Sequence, residues 1–154
     1  MAIPAIRAAR IGHATTCMTG KTFLDTNIFV YAVDEDAPAR REASRKVIAS
    51  LVADGSGVIS TQVMQEFYVA ATRKLGMPPL AAKAVLRTFS VFEVVQVSPE
   101  LVHAAVDCSA LNAVSFWDAL ILASAASAGC SRVFTEDLNT GQTVLGVAIE
   151  NPFA

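Results

Sequence analysis

Short apolar segments alternate with longer amphipathic ones along most of this chain. The apolar runs at 22–25, 57–60, 91–97, 132–134 and 144–149 have the length of strands. Between them, apolar residues recur at helical spacing, which predicts helices over 27–33, 38–53, 61–74, 80–89, 98–111 and 116–128. This alternation is typical of a parallel sheet. We therefore predict an α/β fold with a central, mainly parallel sheet and helices on both faces.

Four acidic residues are placed beside these apolar segments. Asp25 and Asp137 follow predicted strands, Glu66 lies within a predicted helix, and Asp118 opens the most apolar helix. In open parallel sheets, ligands bind beyond the carboxyl ends of the strands. Asp25 and Asp137 are therefore expected at the edge of the sheet where a site would form.

Three of these acids also have a purely structural interpretation. Asp25 or Thr26 could cap the helix that follows the first strand. Asp118 lies three residues after Ser115, which is the spacing of a capping box, and Asp137 could be a turn residue. Taken singly, each of the three is explained by local structure.

Glu66 is harder to explain in this way. It lies on the apolar side of its helix next to Phe67, and no Lys or Arg stands three or four residues away. A tilted helix that leaves Glu66 at the boundary is the structural alternative. Carboxylates that converge in one pocket repel each other, and a divalent cation is the usual remedy. Because the ligands are all oxygen atoms, they suit Mg²⁺ or Mn²⁺, whose bound water can hydrolyse a phosphodiester.

Composition limits the remaining possibilities. The chain has 154 residues, 53% of them hydrophobic, and a net charge of -2, which fits one packed domain without a global nucleic-acid signature. Nucleic-acid binding would need a local basic patch, and the candidates are Arg40, Arg41, Arg45, Lys46, Arg73, Lys74, Lys83 and Arg87. Three cysteines without C-x-x-C spacing support neither disulfides nor a zinc site. No apolar run has the roughly 20 residues of a membrane span, so we expect a cytoplasmic protein.

The start of the chain differs from the rest. Residues 1–17 contain two arginines, no acid and no periodic apolar pattern. We expect them to form a disordered N-terminal extension, and residues 18–154 to form the single domain.

At the acidic residues the sequence resembles the PIN-domain ribonucleases, and within them the VapC-type toxins of bacterial toxin–antitoxin pairs. The resemblance covers residues 21 to about 152, nearly the whole domain. The stretches that carry it are Phe23-Leu24-Asp25-Thr26-Asn27, Gln65-Glu66-Phe67-Tyr68, Ser115-Phe116-Trp117-Asp118-Ala119-Leu120-Ile121 and Thr135-Glu136-Asp137-Leu138-Asn139-Thr140-Gly141.

The resemblance implies a PIN-like three-layer sandwich and an Mg²⁺-dependent endoribonuclease, a hydrolase in which Mn²⁺ can substitute. It assigns Asp25, Glu66, Asp118 and Asp137 to the metal and to catalysis. Supporting roles fall to Thr26, Asn27 and Ser115, and Glu136 is expected to face solvent. The implied partners are an RNA substrate, a cognate antitoxin and a second copy of the chain.

Two other functions remain open at this point. Asp25 at the end of the first strand could be the phosphorylated nucleophile of a phosphatase or a receiver-type domain. The phosphatase type needs a second Asp at the position of Asn27, and the receiver needs a Lys after a late strand, which this chain lacks. The second alternative is a PIN module that binds a partner without catalysis, although none of the four acids is missing.

Overall fold

The computed structural model describes residues 20–154, where six strands and six α-helices alternate. In chain order they are β1 (Thr22–Leu24), α1 (Thr26–Val33), α2 (Pro38–Asp54), β2 (Gly57–Ser60), α3 (Thr61–Arg73), α4 (Pro79–Thr88), a short 3-10 helix (Phe89–Val91), β3 (Glu93–Val95), α5 (Pro99–Asn112), α6 (Phe116–Ser127), β4 (Arg132–Phe134), β5 (Thr143–Val144) and β6 (Val147–Glu150). The extension predicted for residues 1–17 lies outside the described residues.

One six-stranded sheet organises the fold, with the strand order β3-β2-β1-β4-β6-β5. All neighbouring strands are parallel except the pair of β5 and β6 at one edge. Every residue of β1 and β2 is buried, so both faces of the central sheet are covered. The predicted α/β architecture with a mainly parallel sheet is confirmed.

The helices form two packed groups. Helix α6 lies against β2, β4 and β6, and α5 packs on α6, whereas α1 packs against α2 and α3, and α3 against α4. Residues 119–125 of α6 are all buried, as a sequence that is apolar apart from Ser124 predicts. Within residues 20–154 no single helix is long and apolar enough to cross a membrane, and only the sharply bent pair of α5 and α6 meets those criteria of length and composition together.

The end of the chain departs from the prediction. The single strand predicted over 144–149 is wrong, because Leu145 and Gly146 form a turn that separates β5 from β6. Both residues have positive φ, 52° and 76°, the combination used by the tightest hairpin turns. This chain reversal is hard to predict from the sequence, because the residues form a continuous apolar run in which only the glycine indicates a turn.

A cluster of four phenylalanines packs α1, which begins directly after Asp25, against α3, which carries Glu66. The ring centroid of Phe89 lies 4.4 Å from that of Phe29 in α1 and 5.2 Å from that of Phe67 in α3. Phe92 packs edge-on against Phe29 at 5.6 Å. Because Phe67 follows Glu66 directly, this packing fixes α3 relative to α1 and with it the position of Glu66.

Tight packing at Gly57 gives a test of this arrangement. A Cβ atom at Gly57 would lie 2.6 Å from Cδ1 of Phe92, closer than real contacts allow. We expect Gly57→Ala to lower the free energy of unfolding by about 1–3 kcal/mol, because the ring must move. Adding Phe92→Leu should recover part of that loss in a denaturant-based double-mutant cycle. Strictly additive effects of the two substitutions would show that the ring is not what Gly57 accommodates.

Candidate active site

The site begins where β1 and β4 end side by side. Leu24 is paired with Phe134, so the next residues, Asp25 and Thr135, leave the sheet together at its carboxyl edge. The amide of Asp25 donates to the carbonyl oxygen of Phe134 at 3.1 Å, which extends the pairing by one residue. The location predicted from the strand ends is therefore observed for Asp25.

The carboxylate of Asp25 is nearly inaccessible, with 6% of the residue exposed. One oxygen accepts from the amide of Thr26 at 2.7 Å, which makes Asp25 the N-cap of α1 as the structural interpretation held. The other accepts from the hydroxyl of Thr135 at 2.7 Å. Burial, with smaller contributions from the charges of Asp137 and Glu66, raises the pKa of Asp25 to about 6, although the hydrogen bonds from Thr135 and Thr26 act in the opposite direction.

Thr26 links this carboxylate to that of Glu66. Its amide contacts Asp25, while its hydroxyl donates to Oε2 of Glu66 at 2.8 Å. The other oxygen of Glu66 accepts from Nε2 of Gln62, one helical turn earlier, at 2.9 Å. Glu66 is partly buried, so the sequence-based view that it lies on the inner side of α3 is consistent with the structure.

Asp137 joins the same network through Asn27 and Thr135. Nδ2 of Asn27 donates to Asp137 at 3.0 Å, and the amide of Asp137 donates to the hydroxyl oxygen of Thr135 at 3.1 Å. That hydroxyl in turn donates to Asp25, so one buried side chain connects both aspartates. The sequence reasoning did not assign Thr135 to the site. Its place directly after β4, at the edge where Asp25 was expected, was the available signal.

In the described part of the chain, Asp118 makes no direct bond to this network. It is in the first turn of α6, where its amide donates to the hydroxyl oxygen of Ser115 at 3.1 Å, so the capping role of Ser115 is confirmed. Within residues 20–154 the Asp118 side chain makes no hydrogen bond or ion pair. The helix start is tied to the site by Gln62, whose Nε2 donates to the carbonyl oxygen of Trp117 at 3.2 Å and to Glu66. Gln62 was also missed by the sequence reasoning.

The described part of the chain holds no group of three or more Asp, Glu, His or Cys side chains already arranged as metal ligands. Two buried amide oxygens at the site, Oδ1 of Asn27 and Oε1 of Gln62, nevertheless have no hydrogen-bond partner among residues 20–154. Both amide nitrogens are committed to carboxylates, which fixes the orientation of each amide. Unsatisfied oxygen acceptors beside three carboxylates are what a hydrated divalent cation would satisfy.

The network opens into a groove of about 970 Å³. Thr26, Asn27, Glu66 and Asp137 line its acidic end. The rest of the lining consists of Val30, Tyr31, Asp34, Gln62, Gln65, Val69, Ala70, Arg73, Lys74, Leu75, Trp117 and Glu136. Through this groove Glu66 and Asp137 are accessible from solvent.

Glu136 was expected to face solvent, but its side chain is paired with other residues of the protein. The hydroxyl of Tyr31 donates to it at 2.7 Å, and Arg40 forms an ion pair with it while lying 4.8 Å from the centroid of the Tyr31 ring. Two partners, Tyr31 and Arg40, therefore hold the segment that carries Thr135 and Asp137. Because the charge of Arg40 is already paired with that of Glu136, Arg40 attracts an anionic ligand less strongly.

Of the predicted basic residues, only two line the groove. Arg73 and Lys74 stand at the end of α3, at the opposite end of the groove wall from Gln62. Lys46 pairs with Glu42 on the surface of α2 instead. Positive charge is thus available within the groove from α3.

The raised pKa of Asp25 predicts a pH dependence of stability. Between about pH 4 and 6 the unfolded chain loses the Asp25 proton while the folded protein retains it, so stability falls as pH rises. In metal-free buffer, Asp25→Asn should gain up to ~3 kcal/mol relative to wild type between pH 4 and 7. Urea unfolding across this range measures the difference, with Asp107→Asn on α5 as a control. Parallel stability curves for wild type and Asp25→Asn would contradict the assignment.

Comparisons with known proteins agree with this geometry. The family model described as PIN domain matches residues 22–143. A search of curated protein sequences gives no significant match. Among solved structures, the chain resembles Mycobacterium tuberculosis VapC20, described as a sarcin-ricin loop cleaving toxin, with 22% identity over 73% of this chain and 87% of that chain and a TM-score of 0.62.

Two similar structures come from toxin–antitoxin complexes. DNA-bound VapBC from Salmonella typhimurium contains a chain with 24% identity and a TM-score of 0.64, with 86% of this chain and 98% of that chain covered. A toxin–antitoxin complex from Klebsiella pneumoniae gives 19% identity, a TM-score of 0.64 and the same coverage. At these identities the likeness establishes the fold. Because the family model spans most of the chain and the sheet, helices and acidic edge agree with it, the chain belongs to the PIN domain family.

Proposed function

We propose that this protein is an Mg²⁺-dependent endoribonuclease, with Mn²⁺ as a possible substitute, and that it acts as the toxin of a toxin–antitoxin pair. The observation that carries the proposal is the bonded network of Asp25, Glu66 and Asp137 at the carboxyl edge of the sheet, in a chain of the PIN domain family. Asp118 completes the set from the start of α6. A groove of about 970 Å³ opens onto Glu66 and Asp137.

The residues present fit a hard divalent cation. The ligands would be Asp25, Asp118, Glu66 and Asp137, all of which offer carboxylate oxygens. The buried, unpartnered oxygens of Asn27 and Gln62 add acceptors for water molecules around the cation. When bound, Mg²⁺ supplies a water of lowered pKa and neutralises charge on the phosphoryl oxygens.

The protein's own side chains prepare this site. Burial favours the protonated form of Asp25, and the hydrogen bonds from Thr26 and Thr135 favour the charged form that a cation needs. Gln62 orients Glu66, and Asn27 orients Asp137. The side chains are therefore held in place before a metal arrives, which limits the ordering cost of binding.

RNA is proposed as the substrate, and a cognate antitoxin as the partner, by analogy with the similar structures. One of these is described as a toxin that cleaves the sarcin-ricin loop, and others are complexes of toxin with antitoxin. An antitoxin would neutralise the acidic pocket best with a basic side chain, and Arg pairs with carboxylates through two hydrogen bonds. A homodimer is part of the same proposal.

The alternative functions find less support. An aspartyl-phosphate enzyme of the phosphatase type needs a second Asp where this chain has Asn27, and a receiver-type domain needs a Lys after a late strand, which this chain lacks. The region matched by the PIN domain model, residues 22–143, includes Glu66 and Asp118, which that chemistry leaves unexplained. A PIN module without catalysis would not cleave RNA, and an RNA cleavage assay detects that difference.

Neutralising single acids should separate catalysis from local structure. Asp25→Asn and Asp118→Asn keep the side-chain shape but remove ligand charge, so we expect cleavage of structured RNA in Mg²⁺ to fall at least a hundredfold. Asp107→Asn, an exposed acid on α5, should cleave at the wild-type rate. A purely capping role would cost about 1 kcal/mol of stability and leave cleavage intact. Wild-type cleavage by either site variant would refute the assignment of that residue.

Metal binding should also be visible in stability. Mg²⁺ binds the folded state, so at about 100 times its Kd it should raise Tm by roughly 5–10 °C. Asp25→Asn should reduce this shift strongly because it removes a ligand charge. NaCl at matched ionic strength controls for screening of the repulsion between the acids. If NaCl reproduces the whole shift in wild type, no specific cation site exists.

A further inference from the structure

Trp117 is largely exposed to solvent, although exposing a large aromatic side chain to water is unfavourable. It lies in the first turn of α6 with 62% of the residue exposed, and it lines the groove. Exposed indole groups beside a polar pocket are common features of binding surfaces. Trp117 is also the only tryptophan in the chain.

The surroundings of Trp117 fix its position relative to the acids. Its carbonyl oxygen accepts from Nε2 of Gln62, the same nitrogen that donates to Glu66. Its ring packs edge-on against Phe116, with centroids 5.1 Å apart and an angle of 72° between the planes. Gln62 is itself 3% exposed, so the backbone beneath the ring is anchored on a buried group.

The groove that Trp117 lines is also lined by positively charged side chains. Its wall follows α3 from Gln62 to Arg73, a distance of about 16 Å at 1.5 Å per residue. Arg73 and Lys74 stand at the far end, and neither forms an ion pair within the described part of the chain. At a stacked rise of ~3.4 Å per nucleotide, this length corresponds to about four or five nucleotides.

An aromatic platform combined with cations along a groove is how proteins hold single-stranded nucleic acid without reading its sequence. Bases stack on the ring, and phosphates contact the basic side chains. We propose that Trp117 stacks against one nucleobase of a single strand in this groove, with Arg73 and Lys74 contacting the backbone phosphates. This subsite rests on the proposed function and deepens it by assigning Trp117 to the contact with a base. It places the stacked base next to the acidic residues.

The single tryptophan permits a direct test. A short single-stranded oligoribonucleotide is titrated into wild-type protein in EDTA, where metal-dependent cleavage does not occur, while Trp117 fluorescence is recorded. An abasic strand of the same length and charge is titrated in parallel. We expect saturable quenching by the base-bearing strand and little by the abasic strand, because only a base can stack on the ring.

Variants measure the contribution to affinity. With a labelled strand and fluorescence anisotropy, Trp117→Ala should weaken binding about tenfold to a hundredfold, the usual range for base–aromatic stacking. Trp117→Phe should recover most of that loss because it keeps an aromatic face. Leu80→Ala removes a side chain that is 80% exposed on α4, outside the groove lining, and should bind like wild type.

Three outcomes would overturn the subsite: equal quenching by both strands, no saturable binding of the base-bearing strand, or wild-type affinity of Trp117→Ala. The last would leave Trp117 as a contact for a protein partner instead. These results are independent of the nuclease assay. RNA cleavage that depends on Asp25, combined with base-independent quenching, would remove the subsite and keep the proposed function, and base-dependent quenching without any cleavage would do the reverse.

Discussion

The buried carboxylate of Asp25 is the constraint on which the rest of the site depends. A carboxylate taken out of water must be compensated, and here an amide and a hydroxyl supply the compensation. The amide is available because α1 begins at Thr26, and the hydroxyl because β4 ends beside β1 at Thr135. Strand order, helix start and residue choice are therefore linked through a single side chain.

The residues around Asp25 limit the repulsion between negative charges that would otherwise destabilise the fold. Glu66 and Asp137 both oppose ionisation of Asp25, yet each is bonded through a neutral side chain to the same network. Such an arrangement stores repulsion that a bound cation would relieve, so in the proposed function folding, metal affinity and catalysis would draw on the same interactions. The phenylalanine cluster around Phe89 fixes α3 against α1 and keeps Glu66 within reach of Thr26.

Much of this was predictable from local sequence, because strand ends and apolar periodicity are local signals. They located the sheet, the helices and the edge that carries Asp25. The roles of Thr135 and Gln62 were not predictable in this way, since they depend on which strands and helices become neighbours. The partial burial of Glu136 likewise requires Tyr31 from α1 and Arg40 from α2. The turn at Leu145 was missed because its neighbours on both sides are apolar.

The most direct test of the metal site is a crystal structure of the wild-type protein soaked in Mn²⁺, with anomalous scattering used to locate the ion. The account predicts a peak at the carboxyl edge of the sheet, about 2.0–2.3 Å from a carboxylate oxygen of Asp25 and within one water of Glu66, Asp118 or Asp137. A well-ordered site with no peak there, or a manganese ion bound only elsewhere, would contradict the claim that these four acids hold a cation.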